Sequence, residues 1–177
     1  WRLVVDGGEA GAIDPKGLID HSPDGTEPDA PLIGGRGGDP FSETRLGAFL
    51  VGLRVTHATW NGRKVIGSVQ ALYGDGGDGQ VTLGKVFGRP RGDVIELRAK
   101  EGSIVGGMLA RGSDRLDGLA LLCVDEESRS IEVSRWAGTR GAEYDYTRIG
   151  GRHSRVIGIR GRAGANVDAL GLVGAPR

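Results

Sequence analysis

The sequence from residue 49 to residue 73 is FLVGLRVTHATWNGRKVIGSVQALY. Apolar side chains recur at alternate positions in both halves of this stretch, apart from Gly67, with the turn residues Asn61 and Gly62 between the halves. The recurring apolar residues are Phe49, Val51, Leu53 and Val55, and then Val65, Val69, Ala71 and Tyr73. A period of two is typical of a β-strand, and Asn-Gly between two such runs is the strongest short signal for a hairpin. The stretch therefore predicts two antiparallel strands.

The same pattern continues towards the C-terminus. Alternation over 94–100 predicts another strand, and the runs 103–110 and 116–124 predict a hairpin around a polar turn at 111–114. Residues 155–160 and 169–173 predict a closing pair of strands. Many short strands separated by turns, with no helical periodicity, predict an all-β sandwich, barrel or prism.

Composition limits the possible functions. The 177 residues suit one domain, and 23 basic and 23 acidic side chains give a net charge of +0. Without a basic excess, the usual argument for a nucleic-acid partner is removed. No apolar run approaches the roughly 20 residues that span a bilayer, and no secretory signal is visible. Glycine is abundant, at 34 residues, and often paired between predicted strands, which predicts tight turns and close backbone approach.

Residues 1–31 differ from the rest of the chain because the stretch 6–31 is irregular and rich in Gly, Pro and Asp. We predict an N-terminal extension, or a linker from an upstream domain, in which Trp1–Val5 can form an added strand. Residues 32–177 then form the main domain. Its single cysteine, Cys123, forbids an internal disulfide and is expected to be a small buried hydrophobe rather than a reactive thiol.

Two glycine-rich segments lie at opposite ends of this domain. Residues 32–43 are LIGGRGGDPFSE, and residues 161–171 are GRAGANVDALG. The first has the form GGxGGxxF, and the second has G-x-x-x-D within the closing strand pair. In this order, with predicted strands between them, the two segments resemble the jacalin-related lectins over residues 32–174.

The resemblance implies a β-prism I fold, in which three four-stranded antiparallel sheets surround a pseudo-threefold axis. The chain ends then meet in one sheet, which explains how an N-terminal and a C-terminal loop can build one site. The resemblance also implies a carbohydrate-binding domain that is not an enzyme and that needs no metal or other cofactor. The implied partners are mono- or oligosaccharides and glycoconjugates.

The resemblance assigns a sugar site as well. Asp168 matches a carboxylate that accepts hydrogen bonds from two sugar hydroxyls, which are strong because the acceptor is charged. Ala165 and Asn166 match backbone N–H donors in a turn that Gly164 is expected to allow. Gly35 matches a further N–H donor from the first segment. Since this loop is expected to be exposed, we expect Asp168→Ala to abolish binding with little loss of fold.

Some residues depart from the family pattern. Ile33 stands where many members have an aromatic residue, and the turn before Asp168 has no aromatic side chain to stack on a sugar. Galactose-preferring members use such aromatics and a new amino terminus at the first-segment glycine, whereas Gly35 is internal. These departures favour mannose or glucose.

Other motifs have simpler interpretations. Residues 75–79, DGGDG, offer two carboxylates where calcium needs six to eight oxygens, so a turn is expected. The tripeptide at 91–93, Arg-Gly-Asp, is one that integrins bind, but it also arises by chance. The histidines His21, His57 and His153 lack metal-ligand spacing. Four aromatics can extend a sugar site by stacking, although loop packing is the simpler role, and the favoured extra contact region is 136–146. They are Trp60, Trp136, Tyr144 and Tyr146.

An alternative function stays open. The same fold can serve as a structural or protein-interaction domain of a larger protein, with an unused sugar site. The first residue is Trp1 rather than Met, so a preceding segment can have been removed. A homo-oligomer and a part of a larger chain are both compatible with the sequence. Localisation also stays open, with a secreted or cell-surface location favoured over the cytoplasm.

Overall fold

The computed structural model describes residues 4–5, 31–75, 80–141, 145–151 and 155–175. Within these residues it contains fourteen β-strands and no helix, so none of the described chain is a helix able to cross a membrane. The strands are β1 (Val4–Val5), β2 (Ile33–Gly34), β3 (Asp39–Thr44), β4 (Phe49–Trp60), β5 (Arg63–Gly74), β6 (Thr82–Gly88), β7 (Ile95–Arg98), β8 (Ser103–Gly112), β9 (Leu116–Asp125), β10 (Ile131–Val133), β11 (Ala137–Gly138), β12 (Thr147–Gly150), β13 (Val156–Ala163) and β14 (Val167–Gly174). The predicted all-β class is confirmed.

The strands form three sheets, each built around one long antiparallel hairpin. The hairpins are β4–β5, β8–β9 and β13–β14. Strands β6 and β7 flank the first hairpin, and β2 and β3 flank the last. Because β2 pairs with β14, the N-terminal glycine-rich segment lies beside the C-terminal one, as predicted.

The sheet around β8 and β9 has more strands than the four predicted. Strands β10 and β11 occupy successive parts of the same edge of β9, and β12 pairs with β8 on the other side. Strand β1 adds to β10 in parallel, with Val4 opposite Glu132. The division at residue 31 stays a prediction, since most of residues 1–30 lie outside the described residues.

The first hairpin turns as the sequence predicts. Asn61 and Gly62 both have positive φ, at 49° and 74°. Two residues in this conformation form the turn whose twist matches that of the flanking strands. The predicted strands at both sides of this turn are therefore confirmed, and they extend over Phe49–Trp60 and Arg63–Gly74.

Glycine recurs at the same place in the first strand of each hairpin. A Cβ on Gly52, Gly107 or Gly158 would overlap a backbone carbonyl of the neighbouring outer strand. Only glycine allows that strand to approach so closely. The three sheets thus share a glycine at the same position, where the outer strand approaches closely. This repetition agrees with a pseudo-threefold relation between the sheets.

The core lies between the three sheets and takes apolar side chains from each of them. Leu53, Leu121 and Ile159 are fully buried examples, one from each hairpin. Burying such a side chain contributes about 1.5–3 kcal/mol. Cys123 is buried in this core, as expected. Burial, and then the negative charge of Glu132, raises the pKa of its thiol to about 12.

Candidate functional site

The β13–β14 hairpin contains a β-bulge next to its turn. Arg162 pairs with Ala169 and Ala163 pairs with Val167, so Asp168 has no partner across the hairpin. A bulge bends the strand locally and redirects the side chain at that position. Asp168, the predicted sugar-binding carboxylate, therefore lies in strand β14 rather than in the turn.

The Asp168 carboxylate is buried and ion-paired. Its side chain is 3% exposed, and its Oδ1 lies 2.6 Å from Nη1 of Arg115. Arg115 comes from the turn between β8 and β9, in a different sheet, and its guanidinium lies 4.7 Å from the centre of the Trp60 ring. The loop is exposed at Gly164 and Ala165, as expected, but the Asp168 carboxylate is not, because it lies at the bulge and pairs with Arg115.

Gly34 and Gly35 fix the first segment against β14 through the backbone. Gly34 has φ +127°, and a Cβ there would overlap the carbonyl oxygen of Asp168. The N–H of Gly35 donates to that same oxygen at 2.8 Å. The Gly35 N–H, expected to donate to a sugar, is therefore already used within the protein. Gly35 instead positions the backbone, and its missing side chain makes room for the carbonyl of Asp114.

Gly37 and Gly38 are the residues of the first segment that face the carboxylate. A Cβ on Gly37 would lie 2.5 Å from Oδ1 of Asp168, and a Cβ on Gly38 would lie 2.6 Å from Oδ2. Both glycines are exposed, and Gly38 has φ +64°. Arg162 holds them in place, since its Nε and Nη2 donate to the carbonyls of Gly37 and Gly38 at 2.9 and 2.7 Å.

The turn at 164–166 completes this end of the sheet. Gly164 and Ala165 are exposed, and a Cβ on Gly164 would lie 3.7 Å from the Cα of Gly38. That distance is an ordinary van der Waals contact, and Gly164 does not have positive φ. Glycine was expected to be needed for this turn, but the backbone does not require it. The Gly164 N–H donates to the carbonyl of Asn166, whose Oδ1 is buried without a hydrogen-bond partner in the described structure.

The structure thus brings Gly164, Ala165, Asn166 and Asp168 beside the first glycine-rich segment. The residue predicted from that segment was Gly35, whereas the one that lies next to Oδ2 of Asp168 is Gly38. The second Gly-Gly pair was visible in the GGxGG pattern and gave a usable signal. No sequence signal pointed to Arg115, because a residue from another sheet reaches Asp168 only after folding.

The candidate aromatic residues have packing partners. Trp60 is half-buried, with the guanidinium groups of Arg63 and Arg115 at 5.6 and 4.7 Å from its ring centre. The rings of Trp136 and Tyr146 lie 5.8 Å apart and pack on a small apolar cluster outside the main core. Tyr144 lies outside the described residues.

The other motifs stay apart from this site. His57 lies on β4 and accepts a hydrogen bond from the N–H of Gly138 at 2.7 Å. Burial, and then the charge of Lys64, lowers the pKa of His57. The tripeptide at 91–93 is an exposed turn, and strand β7 begins after it at Ile95. Residues 76–79, His21 and His153 lie outside the described residues. Within the described residues, no group of three or more side chains that could bind a metal ion is found.

The arrangement offers donors and acceptors at one end of a rigid sheet. Asp168 supplies a charged acceptor, Arg115 supplies guanidinium donors, and Gly37 and Gly38 lie against the carboxylate. The turn at 164–166 lies beside Gly38. The missing side chains on Gly37 and Gly38 let the carboxylate lie directly against them, and the missing side chain on Gly164 leaves open space at the turn. Such a mixed set suits a neutral polyhydroxyl compound, whose hydroxyl groups both donate and accept.

Comparison with solved structures gives the fold. The chain is similar to a mannose-binding jacalin-related lectin from Ananas comosus, with a TM-score of 0.58 and 18% identity, over 83% of this chain and 96% of that one. The Calystegia sepium agglutinin has a TM-score of 0.61 at 11% identity, over 83% and 95% of the two chains. The chain has the jacalin-related lectin fold. The structure of artocarpin with mannotriose is also similar, with a TM-score of 0.59 and 16% identity over 82% and 95%.

The jacalin-like fold predicted from the two glycine-rich segments is therefore confirmed, and with it the β-prism I architecture. No model of a known protein family matches the sequence, and a search of curated proteins finds no match. At these identities the similarity is one of fold. The described site occupies the end of the jacalin-like prism where the first and last strands of the domain meet.

Proposed function

We propose that this chain is a carbohydrate-binding domain without catalytic activity, which binds mannose- or glucose-type glycans at Asp168. The bulge that holds the Asp168 carboxylate against Gly37 and Gly38 is the observation that carries the proposal. The lectin fold supports it, since similar structures include a lectin named as mannose-binding and a lectin bound to mannotriose.

In this proposal each residue of the site has a separate role. Oδ1 of Asp168 stays with Arg115, while Oδ2, on the side of Gly38, accepts from a sugar hydroxyl. The backbone N–H groups of Ala165 and Asn166 donate to sugar oxygens. Gly35 acts through its hydrogen bond to the Asp168 carbonyl, and Gly38 takes the place next to the sugar. Gly164 leaves the space open.

Affinity for one monosaccharide is expected to be low. A small exposed site must offset the loss of translational and rotational freedom on binding. Useful affinity then comes from several sites that engage one glycan surface together. Glycoconjugates that present many terminal mannose or glucose residues are therefore the expected partners.

Retention on mannose-agarose tests the proposal, with elution by methyl α-D-mannopyranoside. We expect the wild type to be retained and Asp168→Asn to be lost from the column, because the amide keeps the shape but removes the charged acceptor. Glu101→Gln, an exposed acid in the turn before β8, is the matched control and should be retained. If the wild type runs through mannose and glucose columns, or if Asp168→Asn is retained, the proposed function is wrong.

The buried Arg115–Asp168 pair favours a second candidate function. An acid that is 3% exposed and paired with an arginine from another sheet is also what a purely structural contact would show. The domain would then serve as a structural or protein-interaction module. The same columns separate the two functions, since a structural module is not retained by any of these sugars.

A further inference from the structure

The bulge at Asp168 occurs in all three hairpins of the prism. In the β8–β9 hairpin, Arg111 pairs with Gly118 and Gly112 pairs with Leu116, so Asp117 is skipped. In the β4–β5 hairpin, the same shift between Thr56 and His57 skips Gly67. The bulged residue is therefore Asp168, Asp117 or Gly67, and two of the three carry a carboxylate.

The backbone contacts around Asp117 repeat those around Asp168. Gly138 has φ +80°, and a Cβ there would overlap the carbonyl of Asp117, as a Cβ on Gly34 would overlap that of Asp168. The next N–H in each chain segment donates to that carbonyl, from Thr139 at 2.9 Å and from Gly35 at 2.8 Å. The segments match in sequence too, with IGGRG at 33–37 and AGTRG at 137–141.

The charged side chains also correspond. Arg111 and Arg162 occupy the same place before the bulge, Arg111 against Gly141 and Arg162 in hydrogen bonds to the carbonyls of Gly37 and Gly38. Arg111 differs in that its Nη2 also lies 2.9 Å from Oδ2 of Asp145. Each carboxylate is faced by an arginine from a neighbouring hairpin, Arg63 for Asp117 and Arg115 for Asp168. Asp117 is 5% exposed, and its Oδ1, like Oδ1 of Asp168, accepts no hydrogen bond of good geometry in the described structure although an arginine faces it.

We propose that Asp117, Arg111 and the segment 138–141 form a second carbohydrate site of the same chemistry as that at Asp168. The proposal rests on the proposed function, because it carries that chemistry to a second place in the prism. The ligand class is a hexopyranoside with a hydroxyl group that donates to the carboxylate. Gly67 supplies no carboxylate to the third hairpin, so the prism has two such sites and not three.

The two sites differ in the distance between the carboxylate and the arginine that faces it. Nη1 of Arg63 lies 3.9 Å from Oδ1 of Asp117, whereas Nη1 of Arg115 lies 2.6 Å from Oδ1 of Asp168. A longer distance weakens the ion pair and leaves more of the acceptor capacity to a ligand. We therefore expect the Asp117 site to bind a monosaccharide at least as tightly as the Asp168 site.

Amide chemical shifts of the ¹⁵N-labelled full chain can follow the two sites separately. Titration with methyl α-D-mannopyranoside should move two sets of signals, one from residues 37, 38 and 165 and one from residues 139–141. Asp117→Asn should remove the second set alone, and Asp168→Asn the first set alone. Thermal unfolding of both variants, with Glu101→Gln as the control, shows whether the fold is kept.

The outcomes separate the second site from the proposed function. If only the signals near Asp168 move, and Asp117→Asn leaves the titration unchanged, the second site is wrong and the proposed function stands. If only the signals near Asp117 move, the second site stands and the assignment to Asp168 is wrong. If neither methyl α-D-mannopyranoside nor methyl α-D-glucopyranoside moves either set, both proposals are wrong.

Discussion

Replacing Asp168 with alanine is expected to cost stability as well as binding. The carboxylate is 3% exposed, and its Oδ1 lies 2.6 Å from Nη1 of Arg115. The alanine variant leaves the arginine without its counter-charge and opens space under the first glycine-rich segment. Because the hydrogen bond from Gly35 goes to the backbone of Asp168, that contact does not depend on the side chain.

The magnitude follows from the burial of the two partners. Removing one partner of a fully buried pair destabilises by about 3–5 kcal/mol, because an uncompensated charge remains inside. The Arg115 side chain is 25% exposed and can turn towards water, which places Asp168→Ala at about 2–3 kcal/mol. For a chain of this size that corresponds to a fall in Tm of about 4–12 °C.

Urea denaturation of wild type, Asp168→Ala, Arg115→Ala and the double variant measures this cost. The cycle should give a coupling energy of about 1 kcal/mol or more between the two side chains, since they are in direct contact. An Asp168→Ala variant within about 0.5 kcal/mol of wild type would refute the reasoning. It would mean that the exposed-loop expectation was the better one and that the ion pair contributes nothing.

Three further predictions follow from the described contacts. Gly38→Ala should destabilise by more than Gly47→Ala in urea denaturation, because both have positive φ but a Cβ on Gly47 has nothing within 4 Å; equal effects would show that the fit against Asp168 does not matter. The free energy of unfolding should fall as the pH drops through 6.5, since the lowered pKa of His57 lets the unfolded chain take up the proton first. His57→Gln should lose that part of the pH dependence, and an unchanged profile would contradict it. The Cys123 thiol should not react with Ellman's reagent at pH 8 until the protein is unfolded, because burial raises its pKa to about 12.

Local signals in the sequence predicted the hairpins and their order. The alternation over 49–73 and the Asn61-Gly62 turn correspond to a strand, a two-residue turn and a strand in the structure. The two glycine-rich segments correctly pointed to the jacalin-like prism. These features depend on residues close together in the chain, and this is where pattern reasoning works best.

The bulges and their partners could not be predicted in the same way. A bulge adds one residue to one strand, and neither the alternation nor the glycine spacing shows which residue is skipped. Arg115 is far from Asp168 in the chain and comes from another sheet, so their contact exists only in the folded prism. The burial of Asp168 was missed for the same reason.

Gly67, the bulged residue of the β4–β5 hairpin, shows that the backbone contacts at a bulge do not depend on a carboxylate there. Gly88 would overlap the carbonyl of Gly67 if it had a Cβ, and the N–H of Arg89 donates to that carbonyl at 3.2 Å, so the frame forms without any acid. One side chain at each bulge then decides whether that corner of the prism offers a charged acceptor. Under the proposed function, the number of carbohydrate sites in the prism can therefore change by point substitution, while every strand keeps its place.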